Sequence, residues 1–326
     1  MNAPGPGPNP ASDRVDLHAA ANPEDASGGS DRVRAGDRVL ELGGRAWLMG
    51  IVNASPDSFS DGGRHATTEA RLELARELLR DGAEILDIGG ESASTGRPAV
   101  AVEEEIERVV PLIERVAGEL GAIVSVDTYK PAVARAAIAA GARIVNDVSG
   151  LRDTELAEVC AQTGAALVVM HTRAAPKQRL QDPDLYDDIV AEVHAFLGER
   201  IERAIALGVG REQIILDPGP DFAKTPAQTI ELLAGVGRLR ELGRPLLMAV
   251  SRKDFIGALT GRPPRERLGG TLAALAHGVE RGGRIFRVHD VAAAADFLKV
   301  RAALAGELEP RRDLALAEEH RYERKP

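Results

Sequence analysis

Residues 122–149 read AIVSVDTYKPAVARAAIAAGARIVNDVS. A β-branched run closes on Asp127, an alanine-rich segment of helical period follows as far as Gly141, and a second β-branched run closes on Asn146 and Asp147. Strand, helix and strand in this order describe a βα unit of a parallel sheet, with glycine where a helix C-terminus prefers it. The alternation continues in both directions. Strands are expected at AWLMGIVN (46–53), AEILDIGG (83–90), ALVVMHT (166–172), QIILDPG (213–219), PLLMAVS (245–251) and RIFRVHD (284–290), which makes eight with the two above. Helical segments lie between them, among them TTEARLELARELLRDG (67–82), VEEEIERVVPLIERVAGELG (102–121) and TPAQTIELLAGVGRLRELG (225–243). Eight units, with no strand-to-helix turn carrying the GxGxxG dinucleotide fingerprint, favour an α/β protein of the (β/α)8 TIM-barrel type over a doubly wound sheet.

Nearly every strand ends in polar residues: Asn53, Asp87, Asp127, Asn146 with Asp147, His171, Asp217, Ser251 with Lys253, and Arg287 with His289. In a barrel these positions converge on one mouth. A single polar residue at a strand end is ordinarily a cap or a loop anchor, but eight strands sharing the habit point to a site. Asp127, Asn146, Asp217 and Lys253 offer donors and acceptors suited to a flat heterocycle with ring nitrogens, an amino group and a carbonyl. Arg287 and His289, two apart on one strand, share a side and suit an anionic group. The run MGIVNASPDSFSDGG (49–63) leads from a strand into a polar loop able to close over a ligand. Its Asn53 suits one ligand position around Mg2+ whose other ligands are waters and substrate phosphates.

The whole chain sets outer bounds. Its 326 residues are 44% hydrophobic and 28% charged, ordinary for a soluble globular protein with a sizeable core. With 41 basic and 50 acidic side chains the formal charge is -9, so nothing attracts nucleic acid or an anionic membrane globally and any phosphate site must be local. No apolar run reaches membrane-span length and the N-terminus lacks an apolar signal core, so the chain reads as cytoplasmic, with small-molecule partners. The one cysteine, Cys160, can form no internal disulfide and reads as the buried side of a helix. Residues 1–36, rich in Pro, Gly, Ala, Ser and charge, are expected to be disordered; 37–308 form the single-domain barrel and 309–326 a charged tail.

Seven stretches resemble the successive signatures of the dihydropteroate synthase family. They are MGIVNASPDSFSDGG, AEILDIGGES, SVDTYKPAVARAAIAAGARIVNDVSG, LVVMH, ILDPG, SRKDFIG and RVHDV, in family order across the whole barrel. The resemblance implies a transferase of folate biosynthesis that condenses 6-hydroxymethyl-7,8-dihydropterin diphosphate with p-aminobenzoate, releasing pyrophosphate, with Mg2+ and commonly as a homodimer. It assigns the pterin pocket to Asp127, Asn146, Met170, Asp217 and Lys253. The diphosphate site falls to Asn53, Arg287 and His289, and the p-aminobenzoate contacts to Thr95, Arg97, Phe222 and Ser251. Asp127, Asp217, Lys253, Arg287 and His289 would carry the chemistry.

Three runs depart from the family form. The second loop reads ESASTGRPAV (91–100), two residues long of the usual and without Gly after Pro98. DPGPDFAKT (217–225) stands where DPGIGFGKT is usual, so that Asp221 adds a carboxylate whose charge Lys224 or Arg173 would have to offset. MHTRAAPKQRLQ (170–181) replaces a Met-Arg-Gly-Thr-Pro-like run, and His171 in it reads as a loop-fixing residue. The altered second loop keeps open a non-catalytic or altered-specificity pterin-binding paralogue. A methyltetrahydrofolate-dependent methyltransferase shares the fold but gives no reason for Arg287 and His289 beside Asn53. Small residues in RLGGTLAALAHGVERGG (Gly269, Gly270, Ala273, Ala274) imply close helix packing, with a dimer interface as one setting, and His277 reads as a surface or interface histidine.

Overall fold

The computed structural model describes residues 31–55, 67–92, 95–96, 98–317 and 320–321. A hairpin of β1 (Arg32–Ala35) and β2 (Arg38–Glu41) precedes the barrel. The barrel strands are β3 (Trp47–Asn53), β4 (Ile85–Gly89), β5 (Ile123–Asp127), β6 (Ile144–Asp147), β7 (Ala166–Met170), β8 (Ile214–Asp217), β9 (Leu246–Met248) and β10 (Gly283–Val288). All eight expected strands form, each pairs in parallel with its neighbours, and β10 closes the ring against β3. Helices α1 (Thr68–Arg80), α2 (Val102–Leu120), α3 (Pro131–Ala139), α4 (Glu155–Thr163), α5 (Ile189–Ala206) and α6 (Pro226–Gly235) follow β3 to β8 in turn. Two helices, α7 (Asp254–Thr260) and α8 (Leu268–Glu280), follow β9, and α9 (Val291–Leu304) follows β10.

Local chemistry sets the helix ends. Thr67 caps α1 by accepting from the Ala70 N–H, and α2 stops at Gly121, whose φ of 63° is left-handed and closes the helix without a Cβ penalty. The segment expected as one helix over 225–243 is α6 continued by a 3-10 stretch, Val236–Leu242. In α8, a Cβ on Gly270 would lie 2.3 Å from Ile256 of α7, so this small residue serves packing within the chain.

Strand parity sorts the side chains. Met49, Ile85, Ile144, Val168, Ile215 and Leu247 belong to a cluster inside the barrel, while Leu48, Leu86, Val145, Leu167, Leu216 and Met248 belong to the larger core between barrel and helices. Alternate residues of a strand face opposite sides. Carrying the inward phase to the C-terminal ends puts Asn53, Asp87, Asp127, Asn146, Met170, Asp217 and Arg287 inside the mouth. Asp147 and His171 have the opposite phase and turn outward. The mouth is therefore built by two-residue counting from an apolar floor.

The N-terminal boundary differs from expectation. The segment read as disordered to residue 36 is ordered from Asp31: β1, β2 and the residue after β2 lay Val33, Ala35, Leu40 and Leu42 against the inward-facing residues at the strand starts. Arg244 donates to the Arg32 carbonyl, Arg284 pairs with Asp31 at 2.8 Å, and Gly36 N–H reaches the Gly164 carbonyl. The hairpin closes the bottom of the barrel. Four-residue strands thick with charge give no helix or strand period long enough to stand out, and what orders them is the apolar ring they cover. Residues 1–30 lie outside the described residues, and 309–317 carry turns without helix.

Candidate active site

Two pairs of neighbouring strand ends lay out the floor of the mouth. Asp127 on β5 is level with Asn146 on β6, and Met170 on β7 is level with Asp217 on β8. Asp87, one strand earlier, is fully buried and accepts from Asn146 Nδ2 at 3.1 Å. From β10, two strands round the ring from β4, Arg287 donates Nε to Asp87 at 2.6 Å and a terminal nitrogen to the Asp127 carboxylate at 2.9 Å. The sequence places Arg287 with His289 on an anion; the structure turns its guanidinium onto the two carboxylates of the heterocycle corner. Two of its five N–H groups are used there, which leaves others for a ligand.

This corner is under electrostatic tension. Burial pushes the Asp127 carboxyl up to about 7, Arg287 pulls it back, and the Asp87 charge adds to the rise. Asp217 is also raised by burial, although its Oδ1 accepts from the Gly219 N–H at 2.7 Å. Gly219 is required: its φ is 66° and a Cβ would stand 2.1 Å from the His171 carbonyl oxygen. Lys253 completes the set. Burial lowers its ammonium pKa, opposed by Asp221 and Asp217, and Nζ lies 4.4 Å over the Phe222 ring. Asp87 Oδ1, Ser125 Oγ and Asn146 Oδ1 are buried without a partner. Such atoms carry a desolvation cost that a bound polar ring would relieve.

His289 and Ser251 form a second unit. The Ser251 hydroxyl accepts from the His289 backbone N–H at 3.2 Å and lies 3.0 Å from Nδ1. When the hydroxyl donates to Nδ1, Nε2 carries the ring N–H; when Nδ1–H donates to the hydroxyl, Nε2 is an acceptor. Burial, then Arg252 and Arg287, hold the imidazole down to about 3, so it is neutral at physiological pH. Beside it Arg252, with φ of 58°, forks onto Asp290 at 2.7 and 3.1 Å and ties the ends of β9 and β10 together.

The outward pair is structural. Asp147 accepts from the N–H groups of Ser149 and Leu151 and shapes the turn after β6. His171 Nδ1 lies 2.9 Å from the fully buried Lys224 ammonium, which also donates to the carbonyls of Gly219 and Phe222. Burial drives His171 down to about 2 and Lys224 down to about 7. His171 thus fixes a loop, as the sequence suggests. His277 likewise meets the Leu233 carbonyl at 2.9 Å and joins α8 to α6.

A cavity of about 420 Å3 opens beside this floor, and Thr95, Asp127, Phe222 and Lys253 line it. Arg97 lies outside the described residues. Asp221 also lines the cavity, but its carboxylate accepts from the Asp254 N–H at 2.5 Å and the Thr229 hydroxyl at 3.2 Å, near Lys253. Lys224 adds to the counter-charge, whereas Arg173 is engaged with Glu192 at 3.4 Å. Sequence reading gave no role to Asp87 beyond the ring, and none to Lys177, Glu91 or Lys130, which meet at the cavity edge. Asn53 stands inside the mouth level with Gly89. Among the described residues no cluster of three or more His, Cys, Asp or Glu could hold a metal ion unaided.

A (β/α)8 barrel whose mouth sets two buried carboxylates, a half-buried one and an amide against a guanidinium and an ammonium is an enzyme scaffold for a nitrogen-rich heterocycle. Residues 49–289 match the family described as pterin binding enzyme. A dihydropteroate synthase of Synechocystis is 42% identical over 271 residues, covering 82% of this chain and 93% of that protein. The structure of a Xanthomonas albilineans dihydropteroate synthase with 4-aminobenzoic acid is 46% identical with a TM-score of 0.78, over 85% of this chain and 98% of the other. Another of the same enzyme, with 7,8-dihydropteroate, gives 45%, 0.75, 84% and 98%. This chain belongs to the dihydropteroate synthase family.

Proposed function

We propose that the protein condenses 6-hydroxymethyl-7,8-dihydropterin diphosphate with p-aminobenzoate to give 7,8-dihydropteroate and pyrophosphate. The observation that carries this is the pairing of a carboxylate-lined floor with an adjoining cavity bordered by Phe222 and Lys253. Asp127, Asn146, Asp217 and Lys253 would hold the pterin edge, with Met170 beneath it. When the aniline nitrogen attacks the pterin methylene, the C–O bond breaks toward pyrophosphate and positive charge gathers on the pterin. Asp127 and Asp217 face that charge. The remaining N–H groups of Arg287 and the imidazole of His289 would face the leaving anion. Aniline is a sufficient nucleophile once placed, so Thr95, Arg97, Phe222 and Ser251 have an orienting task.

Asn53, a neutral oxygen donor at the end of β3, fits Mg2+ shared with the substrate diphosphate, and the ion would supply charge neutralisation to the leaving group. A cytoplasmic setting and a homodimer belong to the same proposal; no helix among the described residues is long and apolar enough to cross a membrane. The test is pyrophosphate release by the purified chain with Mg2+ and the pterin diphosphate, with and without p-aminobenzoate, the product identified by mass. Release that depends on p-aminobenzoate and yields dihydropteroate is the expected result. Tight diphosphate binding without product would mark a pterin-binding paralogue, the second reading that the altered second loop favours.

A further inference from the structure

Two of the three runs that depart from the family form, the second loop (91–100) and the loop after β7 (170–181), are joined by one side chain. Lys177, from the later loop, donates Nζ to the Ser92 carbonyl and lies 3.1 Å from Glu91 Oε1. Glu91 is a hub: it also accepts from the Val100 N–H at 2.8 Å, the Tyr129 hydroxyl at 3.0 Å and Lys130 Nζ at 2.7 Å. Lys130 in turn reaches Glu105 at 2.5 Å and the Val100 carbonyl at 2.7 Å. Ser92 and Val100 flank the run that holds Thr95 and Arg97. Both feet of the second loop are therefore anchored, one by Lys177 and Glu91, the other by Glu91 and Lys130.

Lys177 is costly where it stands. Its φ of 67° is left-handed, a conformation that strains a residue with a Cβ and persists only where the surroundings fix it. Its side chain is 14% exposed and borders the same cavity as Thr95 and Phe222. Lys130 alone already pairs Glu91 with Glu105, so a second ammonium is not needed to make the carboxylates tolerable. What Lys177 adds is a link between two loops 85 residues apart.

We infer that Lys177 is a positioning residue for the second substrate: it pins the lengthened second loop to the loop after β7 so that the wall bearing Thr95 is set before p-aminobenzoate arrives. This rests on the synthase reading. Two measurements separate its failure from the failure of that reading. In steady-state kinetics, K177M should raise the KM for p-aminobenzoate by about tenfold, the effect of losing one charge-assisted hydrogen bond, while kcat and the KM for the pterin diphosphate stay within about twofold. K177R should recover most of the loss. Equal rises in both KM values, or no change in either, would overturn the pin. Hydrogen exchange needs no turnover: the Val100 amide should exchange faster in K177M and K177Q than in the parent chain, with amides of β5 and β8 unchanged. Unchanged protection at Val100 would also overturn it, whether or not the parent chain makes dihydropteroate.

Discussion

The two ends of the barrel are built from the same eight strands by opposite rules. At the bottom, Val33, Ala35, Leu40 and Leu42 meet Met49, Ile85, Ile144 and Leu247, all apolar and at most 2% exposed. At the top, only two residues beyond Ile85 and Ile144, Asp87 and Asn146 share with Asp127 and Arg287 a pocket in which three buried polar atoms lack partners. Left-handed residues other than glycine follow the same division among the described residues: Leu151, Lys177, Asp221, Ala223 and Arg252 all lie on loops that follow barrel strands. Apolar burial at one end stabilises the fold and lets the other end hold polar groups that only a ligand completes.

The largest expected effect is at the top. Arg287→Ala leaves Asp87 and Asp127 without their shared cation, and breaking a buried pair costs roughly 3–5 kcal/mol. Calorimetry should show dihydropterin and its diphosphate weakening together, by about a hundredfold or more. Retained affinity for the unphosphorylated pterin would mean the guanidinium serves only the anion. The same pair sets a pH dependence. Asp127 accepts donors as a carboxylate, so pterin affinity in the parent chain should rise as pH passes upward through about 7. Because Arg287 lowers that pKa, its removal moves the transition to higher pH.

At the bottom, Leu42→Ala removes a fully buried side chain and should destabilise by about 3 kcal/mol, read as a lower Tm, with both KM values unmoved. Shifted KM values would show that the plug and the mouth are mechanically one. The smallest effect belongs to Ala223, with φ of 53°, where the family form has glycine. Ala223→Gly removes that strain but adds freedom to the unfolded chain, for a net gain of about 0.5 kcal/mol and a slightly higher Tm. A lower Tm would mean that the loop depends on the alanine methyl.

How much of this could be read from the chain depended on distance. The strands and the polar ring were legible because each strand carries its own apolar run and its own terminal polar residue. Parity was the finer signal: Val168 and Met170 share a phase that His171 does not, and an argument from spacing would have sent His171 and Asp147 outward. The clamp of Arg287 on Asp87 was not legible, because the two lie 200 positions apart and a guanidinium two residues from a histidine fits an anion equally well. Nor was the hairpin, whose order comes from the ring it covers. Lys177 looked like any lysine in a polar loop, since its partners belong to another one.

With the barrel interior filled by apolar side chains and its lower end covered by the hairpin, the mouth is a vessel open only upward. Among the described residues, the approach to the carboxylate floor lies beside the cavity that Asp127 and Lys253 line. Traffic in such a vessel is last in, first out: the deep ligand must load before the shallow one, and a shallow ligand that arrives early becomes a stopper. For a condensation run in this mouth the expected kinetic order is deep substrate first, and steady-state inhibition by excess of the second substrate would check it.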